Sequence, residues 1–126
     1  IIIHNQLDDH AHRATLELAD PDIPILAAEP TVHVIKSWRH FTNIWSIPNS
    51  NIGSSSPLPR WLTVMRLPTA EPSPNDLHGT LISFLSQPSG RPEGILFAPH
   101  GTALETVENV LVGAPVLKML ALLHLR

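Results

Sequence analysis

No cysteine occurs among the 126 residues. That excludes a disulfide framework and thiolate metal ligation, so a metal could be held only by imidazole, carboxylate or backbone oxygen. A reducing, cytoplasmic setting suits this composition and is the expected location. Charge is scarce as well: 15% of residues are charged, and eight Lys and Arg are scattered among eleven Asp and Glu, for a net charge of −3. With no basic cluster, nothing marks a nucleic-acid surface. Long apolar runs are missing too. The longest, "VLKMLALLHL", is interrupted by Lys118 and is too short to cross a bilayer, so no membrane partner is expected. No basic segment leads into an apolar stretch and a cleavage site, so no signal peptide is read.

What is present is an apolar fraction of 43%, enough to demand a packed interior. A chain of this length supplies one hydrophobic core, and residues 1–126 are expected to form a single globular domain. The opening "IIIH" lacks an initiator methionine and resembles the end of a core strand running into a loop. The domain is therefore expected to be incomplete at its N-terminus, a fragment of a longer chain.

Strands and helices alternate along it. Ile1 to Ile3 read as a buried strand end, and Ala11, Ala14, Thr15 and Leu18 give helical spacing from about Ala11 to Ala19, closed by the prolines of "ADPDIP". "IPILAAE" reads as a strand. Pro30 fits the first position of a second helix, with Val34, Ile35 and Trp38 as its apolar stripe and an end near His40. "FTNIWSIP" and "WLTVMRL" read as strands separated by the loop "NSNIGSSSPLP", and a second loop, "PTAEPSPND", follows. "HGTLISFL" and "GILFAPHG" are expected hairpin partners across "SQPSGRPE". Thr102 to Glu105, "TALE", fits a capping box, so a helix is expected from about Ala103 to Gly113, followed by a last strand from about Val116 to Leu125. The fold class is α/β with a mixed sheet and helices packed on it. Trp38, Trp45 and Trp61 are read as core or partly buried anchors.

The histidines gather where chemistry is usually placed. "HNQLDDHAH" puts His4, His10 and His12 in the loop after the first strand; His78 begins a strand, His100 follows one and His124 lies near the end of the last. In α/β folds, ligands collect at strand ends and in the loops leaving them. On a regular helix His10 and His12 would point about 200° apart and could not share an ion, so they converge only in an extended segment. The plain alternative makes Asp9 an N-cap with the helix beginning at His10. His78, His100 and His124 equally fit ordinary hydrogen-bonded or buried histidines, and His33 and His40 are assigned no function.

"DHAHRATL" after an apolar strand, then "LHGTLISF", "ILFAPHG" and "LALLH" in that order, resembles the metallo-β-lactamase superfamily, particularly a divergent branch of lactamase-like hydrolases common in fungi. The resemblance implies an αββα sandwich that binds one or two metal ions, usually zinc with Mn or Fe as alternatives, and uses a metal-activated water to hydrolyse a small-molecule substrate of unknown identity. The family signature is H-x-H-x-D-H, with a His, an Asp and a His supplied later from strand ends. Carried over, the Asp-His end falls on Asp9 and His10, the third histidine on His78, the usual bridging aspartate on His100 and the last ligand on His124. Asp9 would bind the ion or orient the water, and His12 is an extra histidine that would serve as ligand or as a donor behind one. The two leading histidines of the signature fall on Asn5 and Leu7, which departs from the family. His4 could replace the first only if the loop is one residue longer, so the second metal site, built on Asp9, His10 and His124, is the better preserved.

A reading from a different class stands beside this one: a non-catalytic remnant of the same fold acting as a binding or interaction module. An uncovered sheet edge would then favour a homo-oligomer.

Overall fold

The computed structural model describes residues 1–48, 58–67, 78–86, 90–98, 105, 107–108, 112 and 119–123. The class is α/β, and the chain divides into two compact units, Ile1–Ile47 with Ser73–Leu77, and Pro48–Pro72 with His78–Arg126.

The first unit is a βαβαβ run: β1 (Ile2–Ile3), α1 (Arg13–Leu16), β2 (Ile25–Ala27), α2 (Glu29–Trp38) and β3 (Ile44–Ser46). Its three strands are parallel, in the order β1-β2-β3, with Ile3 opposite Ala27 and Ala27 opposite Ser46. All three residues of β2 are buried, as expected of a central parallel strand covered on both faces. Ile25 and Ala27 share one face because strand side chains alternate. On that face they pack with Ile3, Ala11, Val32, Ile35 and Phe41, and Leu16, Ala19, Trp38 and Ile44 border the cluster. Both helical segments therefore lie against the same side of this sheet.

The sequence placed α2 well. It starts one residue before Pro30, which still lies in the first turn where a missing N–H costs nothing. Thr31, Val32 and Ile35 are its buried residues, with Trp38 partly buried against the cluster. Arg39 ends it in the left-handed conformation, φ 57°. By contrast, α1 is far shorter than the expected Ala11 to Ala19. Its N-cap is His12, and the amides of His10 and Ala11 both donate to the Leu7 carbonyl (2.8 and 2.7 Å), making a turn before the helix. After Leu16 the bonds tighten to three-residue spacing, Leu18 N–H to Thr15 and Ala19 N–H to Leu16, and Leu18 is left 87% exposed rather than on an inward stripe.

The second unit is a four-stranded sheet, order β4-β5-β6-β7, made of β4 (Leu62–Leu67), β5 (Gly79–Leu85), β6 (Pro92–Phe97) and β7 (Met119–Leu123). The first two pairings are antiparallel and the last is parallel, so this sheet is mixed, as expected. β5 and β6 form the anticipated hairpin pair. Its turn is held by Ser86 N–H to the Arg91 carbonyl (2.8 Å) and Gly90 N–H to the Ser86 carbonyl (2.6 Å), with Gly90 at φ 62°, where a glycine is favoured. A parallel β6-β7 pair needs a crossover, and Glu105, Val107, Glu108 and Val112 within that connection are helical. Val107 packs on the cluster of Leu67, Leu81 and Leu96. The expected cap at Thr102, the second long loop and all of the first but Leu58 and Pro59 lie outside the described residues.

Thr80 and Leu81, successive residues on opposite faces of β5, are both buried, so the second sheet is covered on both sides at that end. Trp61 does not act as a core anchor: it lies just before β4 and is 51% exposed. Among the described residues, no helix is long and apolar enough to cross a membrane.

Candidate functional site

Parallel strands bring their carboxyl ends to one edge. In the first unit the chain leaves that edge from β1 as His4-Asn5, from β2 as Ala28 and from β3 as Ile47. Here open α/β sheets place their ligands.

His4 and Asn5 are buried, held down because they continue a strand whose Ile3 belongs to the core. Asn5 Oδ1 accepts a hydrogen bond from the Leu7 N–H at 2.8 Å, bending the chain into a side-chain-closed turn. The Leu7 carbonyl then accepts from His10 and Ala11. This double turn brings the ring of His10 back to within 5.7 Å of the ring of His4, with the planes inclined at 34°. Asp9 Oδ2 is 3.6 Å from His10 Nε2; the carboxylate side chain is 69% exposed, the imidazole only 11%. The site of the first unit is thus two imidazoles and one solvent-facing carboxylate within seven residues.

Asp9 is not the N-cap of α1, as the plain alternative had it. The turn at Leu7 delays the helix, and His12 takes the cap position instead. There His12 makes no cap bond to a backbone amide, but its Nδ1 lies 2.8 Å from Thr15 Oγ1. His33 is exposed on α2, 3.8 Å from Glu29. His40 Nε2 donates to the Ala19 carbonyl at 2.9 Å, tying the end of α2 to the loop after α1.

In the second unit, His78 directly precedes β5 and is 3% exposed. Thr80 is paired with Phe97, and Phe97 with Leu123. The start of β5 and the carboxyl ends of β6 and β7 therefore share one edge of this sheet. From it the chain continues to His100 and His124, which lie outside the described residues.

The described residues bring Asp9 and His10 together and add His4, which sequence reasoning had weighed only as a substitute. They leave His12 turned to Thr15. Among them no group of three or more His, Asp or Glu side chains is gathered as a metal ion would require. The signal for His4 was present in the sequence, since it follows an apolar strand end. Its proximity to His10 was not, because it depends on the turn that Asn5 closes.

Searches of protein-family models, curated proteins and solved structures found nothing that this chain matches.

Proposed function

We propose that this chain is a metal-dependent hydrolase of the metallo-β-lactamase type, with that superfamily's αββα layering, acting on a small-molecule substrate. One observation carries the reading: the rings of His4 and His10, with the Asp9 carboxylate beside them, meet at the carboxyl edge of a parallel sheet.

In the first unit Asp9 and His10, with His4 beside them, would hold the ion, and a donor set of imidazole and carboxylate suits Zn, or Mn or Fe. When bound, such an ion supplies an acidified water near neutral pH and polarises a carbonyl or phosphoryl oxygen. The chain's own part is positional. The solvent-facing Asp9 carboxylate would bind the ion or orient its water. The His10 side chain, 11% exposed, and the buried His4 lie on the inner side of the loop.

A specific feature favours the second reading, a non-catalytic interaction module. Trp61 and Leu85 are both exposed (51% and 45%) and adjacent, the Leu85 N–H donating to the Trp61 carbonyl at 3.0 Å.

Metal analysis of purified protein beside His10→Ala, after dialysis against zinc, decides between them. One or two ions per wild-type chain and a clear loss in the variant are expected; equal, substoichiometric metal in both removes the hydrolase reading.

A further inference from the structure

We infer that Asn5 is the positioning residue of the histidine loop: its side-chain oxygen fastens Leu7, and through Leu7 it holds Asp9 and His10 in place. Asn5 stands where the family signature would have a histidine, so the sequence reads it as a lost ligand. The structure gives it different work. The atom facing the Leu7 N–H must be an acceptor, which fixes that atom as Oδ1 rather than Nδ2. Leu7 O in turn receives the amides of His10 and Ala11, and Ala11 is seated in the core. Asn5 itself is 1% exposed. A chain of hydrogen bonds thus runs from the buried end of β1 to the buried Ala11 just before α1, and the loop carrying Asp9 and His10 is strung between them.

Packing offers no substitute, since Gln6, Leu7, Asp8 and Asp9 are all exposed. An apolar side chain at position 5 would leave the Leu7 amide without its acceptor, and a serine would reach it less well. The choice of asparagine carries a penalty, because its Nδ2 is buried with no hydrogen-bond partner among the described residues. Selection for packing alone would not keep such a group. A need for the acceptor at this place would.

The latch belongs to the metal-free chain, and only what the loop is positioned to hold rests on the hydrolase reading. The test therefore has two arms on the full chain. In the first, amide exchange and ring-to-ring nuclear Overhauser contacts are followed without metal in wild type, Asn5→Asp, which keeps an acceptor, and Asn5→Leu, which has none. Exchange at Leu7, His10 and Ala11 should quicken at least about tenfold in Asn5→Leu, with loss of the His4 to His10 contact, while Asn5→Asp stays close to wild type. Wild-type protection in Asn5→Leu overturns the inference. Should that variant not fold, a through-hydrogen-bond coupling between Leu7 N and Asn5 Cγ in the wild-type protein replaces it; its absence overturns the inference equally. In the second arm zinc is titrated. Affinity should fall about 10–100-fold in Asn5→Leu and be largely kept in Asn5→Asp, the range typical for residues that orient ligands. Equal zinc affinity in wild type and Asn5→Leu overturns the positioning role. A wild-type chain whose latch is intact but which binds no zinc overturns the hydrolase reading and leaves the latch standing.

Discussion

His4 and His10 lie with ring centroids 5.7 Å apart although their burial differs, His4 at 2% and the His10 side chain at 11%. The first belongs to the core and the second to the rim, and Asp9 beyond them faces water. Burial is thereby graded across three neighbouring residues.

That gradient makes Asp9→Ala and His4→Ala opposite in effect. Asp9 is mostly exposed, and its contact with His10 is an outward-facing one. Its removal is expected to change unfolding free energy by no more than about 0.5 kcal/mol while sharply reducing zinc uptake. His4→Ala removes a buried ring and should cost about 2–4 kcal/mol. Urea denaturation of both variants, with zinc titration beside it, checks this. A large loss of stability in Asp9→Ala would show that the carboxylate is structural.

Arg39 holds a left-handed conformation (φ 57°) at the end of α2, where a Cβ is disfavoured and glycine is not. Arg39→Gly is therefore expected to raise stability by about 0.5–1 kcal/mol, whereas Arg39→Ala should not. Thermal melts of the two side by side read the difference. A glycine variant that melts lower than wild type would refute the backbone argument.

The elements legible in the sequence were those whose signal is local. β2 showed as a continuous apolar run, β5 and β6 as apolar runs on either side of a turn, and α2 as a proline followed by an apolar stripe. The failures share a cause. The extent of α1 and the burial of Leu18 were read from helical spacing, but the turn at Leu7 competes for the amides of His10 and Ala11 and postpones the helix to Arg13. The same turn took the cap from Asp9 and gave it to His12. Asp9 and His10 were singled out by residue type and place, and the structure sets them side by side. The approach of His4 was hidden because it depends on a bond from Asn5, a residue whose side chain no periodicity flags.

His12 offers a separation of cap from ligand. It sits at the N-cap of α1 without bonding a backbone amide, a position where serine or aspartate does better. His12→Ser should stabilise by about 0.5–1 kcal/mol, and because Nδ1 faces Thr15 and only Nε2 could take a metal, unchanged zinc stoichiometry in the variant would remove His12 as a ligand. Loss of zinc in this variant would return His12 to the ligand set.

Gly79 tests how tightly the second unit is packed. A Cβ built there would meet Leu67 Cδ1 at 3.4 Å and Leu96 Cδ1 at 3.5 Å, both flexible side-chain ends at ordinary contact distance. A single methyl therefore fits, and Gly79→Ala should unfold within about 1 kcal/mol of wild type, helped by a less flexible unfolded chain. The two further methyls of valine enter the Leu67, Leu81 and Leu96 cluster, so Gly79→Val should cost about 1–3 kcal/mol by overpacking. Leu81→Ala, which empties the same cluster, should cost about 2–5 kcal/mol. Urea midpoints should then fall in the order alanine at 79, valine at 79, alanine at 81. If Gly79→Ala proved as damaging as Gly79→Val, the methyl-sized space beside Leu67 would not exist, and β5 would be packed more closely on its neighbours than these distances allow.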